Sequence, residues 1–154
     1  MSANKITVLY VDDEENNLFS FKATFRIKYN VFTAISGEEA LKVLAEKNVN
    51  VIITDQRMPE MTGVDFLEKV LTKYPDPMRI LLTGYADMNA VVDAVNKGKI
   101  FHYLAKPWNE EELDKTIARA YDIFLEREKI KQMNEKLEVS NSQLEFLLRQ
   151  KLLS

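Results

Sequence analysis

The segment Val51–Asp55 constrains the fold most, because it joins an uninterrupted run of strand-forming residues to a carboxylate. Such a run, followed four residues later by Pro59, is typical of a central strand with both faces covered in a parallel sheet. The carboxyl ends of parallel strands line the ligand crevice of open α/β sheets. The sequence therefore predicts that Asp55 lies at the rim of a functional site, although a lone Asp more often simply begins a turn.

Similar apolar segments alternate with helix-like segments along most of the chain. Strands are predicted at residues 5–11, 31–34, 51–55, 78–82 and 100–105. Helices are predicted at residues 17–28, from 36, at 62–73, at 87–96 and from 109 onward. Five βα repeats with short connections predict an α/β fold, in which a five-stranded parallel sheet carries helices on both faces.

The last helix is expected to continue beyond the sheet. From Asn109 to about Gln150 the chain contains neither Gly nor Pro, so no residue there favours a helix end. Beyond residue 124, apolar residues recur in alternating steps of three and four, with Ser140 as the polar exception: Ile130, Met133, Leu137, Leu144 and Leu147. About three heptads of this pattern predict a parallel two-stranded coiled coil, with a single exposed helix as the alternative. Residues 1–122 and 123–154 are therefore predicted to form separate domains.

Composition excludes several classes of partner. The 154 residues carry a net charge of −3 at pH 7, which provides no basic surface for nucleic acid. The chain has no cysteine for disulfides or thiolate–metal sites. It also has no signal-peptide pattern and no run of about 18 apolar residues. We therefore expect a cytoplasmic protein that binds neither nucleic acid nor membrane.

Polar residues follow four of the five predicted strands. Asp12 and Asp13 follow the first strand, while Asp55, Thr83 and Lys106 end or follow the third, fourth and fifth. Three carboxylates at one sheet edge repel one another unless a cation compensates. Oxygen ligands without His or Cys suit Mg2+, and a neighbouring hydroxyl and ammonium can bind the oxygens of a phosphoryl group. The pattern indicates Mg2+-dependent phosphoryl chemistry.

These residues give the chain a resemblance to the receiver domains of two-component response regulators (CheY-like domains). The resemblance extends over residues 5–122. The matching motifs are Val11-Asp12-Asp13-Glu14, Asp55 followed by Met58-Pro59 and Gly63, Thr83-Gly84, and Tyr103 ahead of Lys106-Pro107. The resemblance implies the flavodoxin-like strand order 2-1-3-4-5.

The resemblance also implies a phosphorelay function. Asp55 would be the phosphoacceptor, receiving a phosphoryl group from a sensor histidine kinase, a phosphotransfer protein or a small phosphodonor. Mg2+ would be held by Asp13, Asp55 and the backbone carbonyl of Arg57, with Asp12 acting through water. The protein would then catalyse only its own phosphorylation and dephosphorylation.

A conformational switch is a further implication of the resemblance. Thr83 would turn toward the phosphoryl group, Tyr103 would fill the vacated space, and Lys106 would bind the phosphoryl oxygens, aimed by a cis peptide bond before Pro107. The affected face comprises the fourth helix, the fifth strand and the fifth helix, which continues into the heptads. We therefore expect a changed homodimer geometry or helical register to control an output, such as an effector domain beyond Ser154.

Two departures from the family pattern and two alternatives complete the sequence interpretation. The segment of residues 98–103 is one residue longer than the spacing common in the family. Trp108 stands where Phe is usual after Lys-Pro. This Lys-Pro-Trp variant resembles receivers attached to nucleotide-cyclase, cyclic-dinucleotide phosphodiesterase or kinase outputs. His102, the single histidine, is expected to face solvent or to pack rather than to catalyse. A phosphatase with an Asp nucleophile would carry a second Asp where Arg57 stands. An unphosphorylated coiled-coil adaptor is the other alternative.

Overall fold

The computed structural model describes residues 5–153, except for the side chain of Tyr85. Strands and helices alternate over this range: β1 Thr7–Val11, α1 Glu15–Phe25, β2 Asn30–Ala34, α2 Gly37–Glu46, β3 Val51–Asp55, α3 Gly63–Lys73, β4 Met78–Thr83, α4 Met88–Asn96, β5 His102–Ala105 and α5 Glu110–Leu153. A short 3-10 helix, Tyr85–Asp87, precedes α4. The strands are parallel and ordered β2-β1-β3-β4-β5, so the predicted α/β fold and strand order are confirmed.

β3 lies at the centre of the sheet between β1 and β4. Val51 pairs with Val8 on one side and with Met78 on the other. All residues of β3 and β4 are buried, which is the consequence of helices covering both faces of a parallel sheet. The largely apolar runs of β3 and β4 therefore lie on the central strand and on one of its two neighbours.

Side chains that accept backbone hydrogen bonds define the starts of α2 and α3. Ser36 Oγ accepts from the Glu39 amide at 3.1 Å, and the Glu39 carboxylate accepts from the Ile35 amide at 3.3 Å. The two bonds form a reciprocal cap at α2, in which the Glu39 carboxylate reaches the amide one residue before the N-cap residue Ser36. At α3, Thr62 Oγ1 accepts from the Asp65 amide at 3.2 Å.

The ends of two elements differ from the sequence expectation. α1 spans Glu15–Phe25 instead of residues 17–28, because the chain turns after Phe25 so that Asn30 can pair in β2. Phe19 and Ile27, which contribute to the apolar periodicity in this part of the sequence, are 75% and 79% exposed. β5 begins at His102 rather than residue 100, because Gly98, with φ of 74°, still belongs to the turn after α4.

The chain divides into two compact units, Met1–Tyr121 and Asp122–Ser154. In the first unit, α5 buries Leu113, Ile117 and Ala120. In the second unit, the five predicted seam residues Ile130, Met133, Leu137, Leu144 and Leu147 are 57% to 62% exposed. The predicted long helix is confirmed through residue 153, while its pairing with a second helix stays a prediction. Within residues 5–153, no helix is both long enough and apolar enough to cross a bilayer.

Candidate functional site

Three carboxylates meet at the carboxyl ends of β1 and β3. Asp12 and Asp13 directly follow β1, and Asp55 is the last residue of β3. One carboxylate oxygen from each residue lies within 4.8 Å of the other two. Asp12 and Asp55 are 0% and 5% exposed, whereas Asp13 is partly exposed. Because β1 and β3 pair directly and in parallel, their ends place these side chains together as the sequence predicts.

The carboxylate of Asp12 is fixed by three hydrogen-bond donors. Its Oδ1 accepts from the Glu14 amide at 3.0 Å. Its Oδ2 accepts from Asn17 Nδ2 at 3.0 Å and from the Tyr10 hydroxyl at 3.4 Å. Burial, followed by the negative charge of Asp12, raises the pKa of Tyr10 above its ordinary value, while hydrogen bonding to Trp108 opposes this increase. The Tyr10 hydroxyl therefore keeps its proton and acts as a donor.

Asp55 forms the ion pair of the site. Lys106 Nζ lies 2.7 Å from Asp55 Oδ1, and the Lys106 amide donates to the Thr83 carbonyl at 3.0 Å. Burial raises the pKa of Asp55 above its ordinary value; Lys106 opposes this increase, and the charge of Asp12 adds to it.

The acidic cluster fits Mg2+ by its donor set and its charge. The clustered side chains offer hard carboxylate oxygens, and neither His nor Cys belongs to the group. One ammonium group stands beside three carboxylates, and the raised pKa of Asp55 records the cost of holding this charge away from water. A divalent cation would reverse that cost. The cluster of Asp12, Asp13 and Asp55 is therefore compatible with Mg2+ binding.

Gln56 closes the base of the loop between β3 and α3, a role that the sequence interpretation missed. Its amide donates to the Leu82 carbonyl at 3.0 Å, and its carbonyl accepts from the Gly63 amide at 2.9 Å. Its side-chain Oε1 accepts from the Val64 amide at 2.9 Å, and the residue is 7% exposed. The one signal in the sequence is a polar residue placed directly after a buried strand.

Gly63 is required by the same loop for its lack of a side chain. A Cβ at this position would lie 2.4 Å from the Asp55 carbonyl oxygen and 2.7 Å from the Leu81 side chain. Real Cβ atoms do not approach other atoms so closely. Gly63 therefore allows the start of α3 to pack directly against the end of β3.

An ion pair connects the loops after β3 and β4. Arg57 Nε lies 3.1 Å from Asp87 Oδ2, and the Arg57 side chain is 73% exposed. Thr83, the last residue of β4, is buried, and its hydroxyl donates to the Gly84 carbonyl at 3.1 Å. Arg57, the predicted carbonyl ligand, thus lies in one of these loops, and Thr83, the predicted switch residue, ends the strand before the other.

The remaining predicted site residues lie on or after β5. Tyr103 is partly buried against the hydrophobic core and pairs with Leu81 of β4. The Lys106–Pro107 peptide bond is cis. The ring of His102 lies 6.0 Å from that of Tyr103. Burial, aided by the charge of Arg119, lowers the pKa of His102, which supports packing as its role.

Comparison with known sequences connects this site to one family. A family model for the response regulator receiver domain matches residues 8–118. The hydrogenase transcriptional regulatory protein HoxA of Cupriavidus necator is 38% identical over 122 residues, which cover 79% of this chain and 25% of HoxA. The chain spans about a quarter of the length of the curated relatives it matches.

Solved structures show the same architecture. The structure of an adenylate cyclase from Rhodopirellula baltica aligns with a TM-score of 0.83 and 28% identity, over 86% of this chain and 98% of that one. The response regulator TrrA from Thermotoga maritima, in complex with Mg2+ and BeF, aligns with a TM-score of 0.66 and 29% identity. That alignment covers 75% of this chain and 98% of TrrA.

Proposed function

The chain belongs to the response regulator receiver family, and on this basis we propose that it is the phosphoacceptor of a two-component phosphorelay, phosphorylated on Asp55. One observation carries the proposal. The Asp55 carboxylate is almost fully buried, within 4.8 Å of two other acidic side chains and 2.7 Å from the Lys106 ammonium. This arrangement supplies a nucleophile, a metal-binding group of oxygens and a fixed positive charge within one site.

Phosphoryl transfer begins with attack of an Asp55 oxygen on the phosphorus of a donor. The donor is a phosphohistidine on a sensor kinase or phosphotransfer protein, or a small phosphodonor. The new O–P bond forms as the bond to the leaving group breaks, and the leaving group departs with the electron pair. Mg2+ would be held by Asp13, Asp55 and the Arg57 carbonyl, with Asp12 acting through water, and when bound it would supply positive charge for the oxygens of the transferring group.

Lys106 acts both before and after this phosphoryl transfer. Before it, the ammonium at 2.7 Å restrains the Asp55 carboxylate and offsets part of its charge. After it, the modified Asp55 carries roughly −1.5 to −2 charges and three acceptor oxygens, assuming the values typical of protein phosphorylation. The ammonium then pairs with a phosphoryl oxygen and loses its contact with the bare carboxylate.

The response to phosphorylation begins at Thr83. Its hydroxyl donates to the Gly84 carbonyl in this state, and on phosphorylation it donates to a phosphoryl oxygen instead. Tyr103, which is only partly buried, moves into the space that Thr83 leaves. This change shifts a pre-existing equilibrium between two conformations of the face made by α4, β5 and α5.

The output proposed for this switch is a parallel homodimer formed through α5. Residues 1–122 form the receiver domain and residues 123–154 the dimerisation segment. The exposed seam from Ile130 to Leu147 supports this division, because apolar residues at heptad spacing need a partner. The dimer in turn controls an output, and the family supports a cytoplasmic location.

The protein acts on itself rather than turning over an external substrate. Receiver domains are typically non-enzymatic signalling modules. At the second position after the nucleophile, where a phosphatase would carry an acid/base Asp, this chain has Arg57, and its guanidinium is paired with Asp87. The site therefore lacks the group that would protonate the leaving alcohol of a phosphate ester at that position.

Intact-mass measurement tests this function directly. The chain is incubated with Mg2+ and acetyl phosphate, beside Asp55→Asn and a control variant, Asp93→Asn, which changes an exposed carboxylate on α4. We expect one labile phosphoryl adduct on the wild type and on Asp93→Asn, dependent on Mg2+, and none on Asp55→Asn. A wild type that forms no adduct would favour the adaptor alternative, whereas an adduct on Asp55→Asn would mean that another residue accepts the phosphoryl group.

A further inference from the structure

A row of aromatic side chains connects the acidic cluster with the beginning of α5. Tyr10 stacks on Phe21 with ring centroids 4.2 Å apart and an interplanar angle of 9°. Phe21 meets Trp108 edge-on at 6.1 Å, and Trp108 also contacts Phe25 at 5.9 Å. Tyr10 and Phe21 are 1% and 0% exposed. Because Tyr10 and Phe21 are buried and Trp108, although partly exposed, packs against Phe21 and Phe25, a displacement of one ring is expected to shift the next.

Each end of this aromatic row contacts a functional element. At one end, the Tyr10 hydroxyl donates to Asp12 Oδ2 at 3.4 Å. At the other end, Trp108 directly precedes Asn109, whose Oδ1 accepts from the Glu112 amide at 3.1 Å and so caps α5. The row therefore joins a carboxylate of the acidic cluster to the residue that starts the last helix.

We propose that Tyr10 is a positioning residue for Asp12, and that the aromatic row couples cation binding at the acidic cluster to Trp108 and the start of α5. This inference rests on the proposed function, because it takes Mg2+ as the cation. Asp12 is fully buried, so its orientation depends on the few donors around it. Any adjustment of Asp12 toward a bound cation alters its bond to Tyr10, and the stacked rings pass that displacement to Trp108.

The coupling differs from the switch through Thr83 in both its residues and its trigger. The Thr83 switch responds to the phosphoryl group and acts through the α4, β5 and α5 face. The aromatic row lies between β1, α1 and the connection from β5 to α5, and it responds to the cation alone. Cation binding would thus prepare the start of α5 before phosphorylation.

Trp108 provides its own reporter, because it is the only tryptophan in the chain. Its fluorescence emission is recorded during a Mg2+ titration at constant ionic strength, and Mg2+ affinity is measured separately by calorimetry. We expect a saturable change in wild-type emission, with the same midpoint as the calorimetric titration. In Tyr10→Phe, which keeps the ring and removes only the hydroxyl, we expect Mg2+ to bind about tenfold more weakly, the lower end of the range for outer-shell changes. The emission change should fall by more than half.

Two further variants separate positioning from simple packing. Tyr29→Phe is the matched control: Tyr29 stacks on Phe25 in the same group of rings, but its hydroxyl donates to Asp114 instead of Asp12. This variant should retain wild-type affinity and emission response. Phe21→Leu breaks the stack and leaves the hydroxyl of Tyr10 in place. It should retain most of the affinity for Mg2+ and show a smaller Trp108 response, because the hydrogen bond between Tyr10 and Trp108 remains while the stacked contact is lost.

Each contrary outcome has a distinct meaning. If the wild type binds Mg2+ without a change in Trp108 emission, the coupling is wrong and the proposed function stands. Wild-type affinity in a folded Tyr10→Phe variant would remove the positioning role. If Tyr10→Phe and Tyr29→Phe lose equal amounts of Mg2+ affinity and of the Trp108 emission change, the aromatic row serves only for packing. A wild type that binds no Mg2+ by calorimetry would overturn both this inference and the metal-dependent function.

Discussion

Replacing Leu137 and Leu144 of α5 with Asn is expected to convert a dimer of this chain into a monomer. Both side chains lie in the second unit, at positions 59% and 57% exposed. They are separated by seven residues, so they occupy the same position in successive heptads and would each pack against the corresponding level of a partner helix. Asn at two such positions would place polar amides where the dimer requires apolar contact.

The expected loss of affinity follows from these exposures. Fully burying a Leu side chain contributes about 1.5–3 kcal/mol. A little over half of each Leu residue is exposed in the single chain. Burying this apolar surface in the dimer would contribute about 1–1.5 kcal/mol per side chain to the free energy of association. A dimer contains four of these side chains, together worth about 4–6 kcal/mol. The dissociation constant should therefore rise by roughly a thousand- to ten-thousandfold.

Sedimentation equilibrium over a range of protein concentrations measures this change. The matched control is Val139→Asn with Phe146→Asn, at positions that are 59% and 61% exposed and also seven residues apart. These two side chains lie two residues beyond the Leu pair, away from the predicted seam, and the control costs the helix the same two Asn propensities. A control that dissociates equally, or a dimer that survives the Leu substitutions, would refute the seam as the dimer interface. Phosphorylation of Asp55 should be unaffected by either pair.

Other substitutions test the loop, the seam and the pH response. Gln56→Leu removes a buried acceptor from α3 and should lower the free energy of unfolding in urea by about 1–3 kcal/mol. Gly63→Ala, whose Cβ would lie 2.4 Å from a backbone oxygen, should lower it by at least about 1–3 kcal/mol in the same assay. Ser140→Leu should tighten the dimer by filling the polar gap in the seam, as sedimentation equilibrium would show. Burial raises the pKa of the Asp114 carboxyl, but hydrogen bonds from Lys28 and Tyr29 outweigh burial and bring this pKa below its ordinary value of 3.8. The contacts of ionised Asp114 therefore stabilise the fold fully above pH 3.8, and this stabilisation is lost as the pH falls through the lowered pKa. Thermal melts should show less acid sensitivity in Asp114→Asn than in the wild type.

The fold and the acidic cluster were predictable because both depend on regular chain geometry. Alternating apolar segments and helices permit few topologies, and parallel strands bring their ends to one edge. Asp12, Asp13 and Asp55 therefore had to meet once β1 and β3 were placed side by side. The strand order itself came from family resemblance, since periodicity does not distinguish one neighbour from another.

The supporting contacts were not predictable, because they join residues far apart in sequence through particular side-chain conformations. Arg57 and Asp87 are 30 residues apart, and Tyr29 and Asp114 are 85 apart. The role of Gln56 depends on its side chain turning back to an amide of α3. A sequence pattern records the polarity of such residues but not which partner they reach.

The environments of the three clustered carboxylates differ enough to assign them different roles, although their residue type is the same. Asp12 is fully buried and held by three donors, which suits a carboxylate whose orientation is set by its neighbours. Asp13 is partly exposed, which leaves it open to a cation that arrives from solvent. Asp55 is buried against Lys106, so its charge is restrained where a phosphoryl group would bind. Because neighbouring groups set the role of a carboxylate, the contacts of Tyr10 and Lys106 carry as much of the mechanism as the acidic residues do.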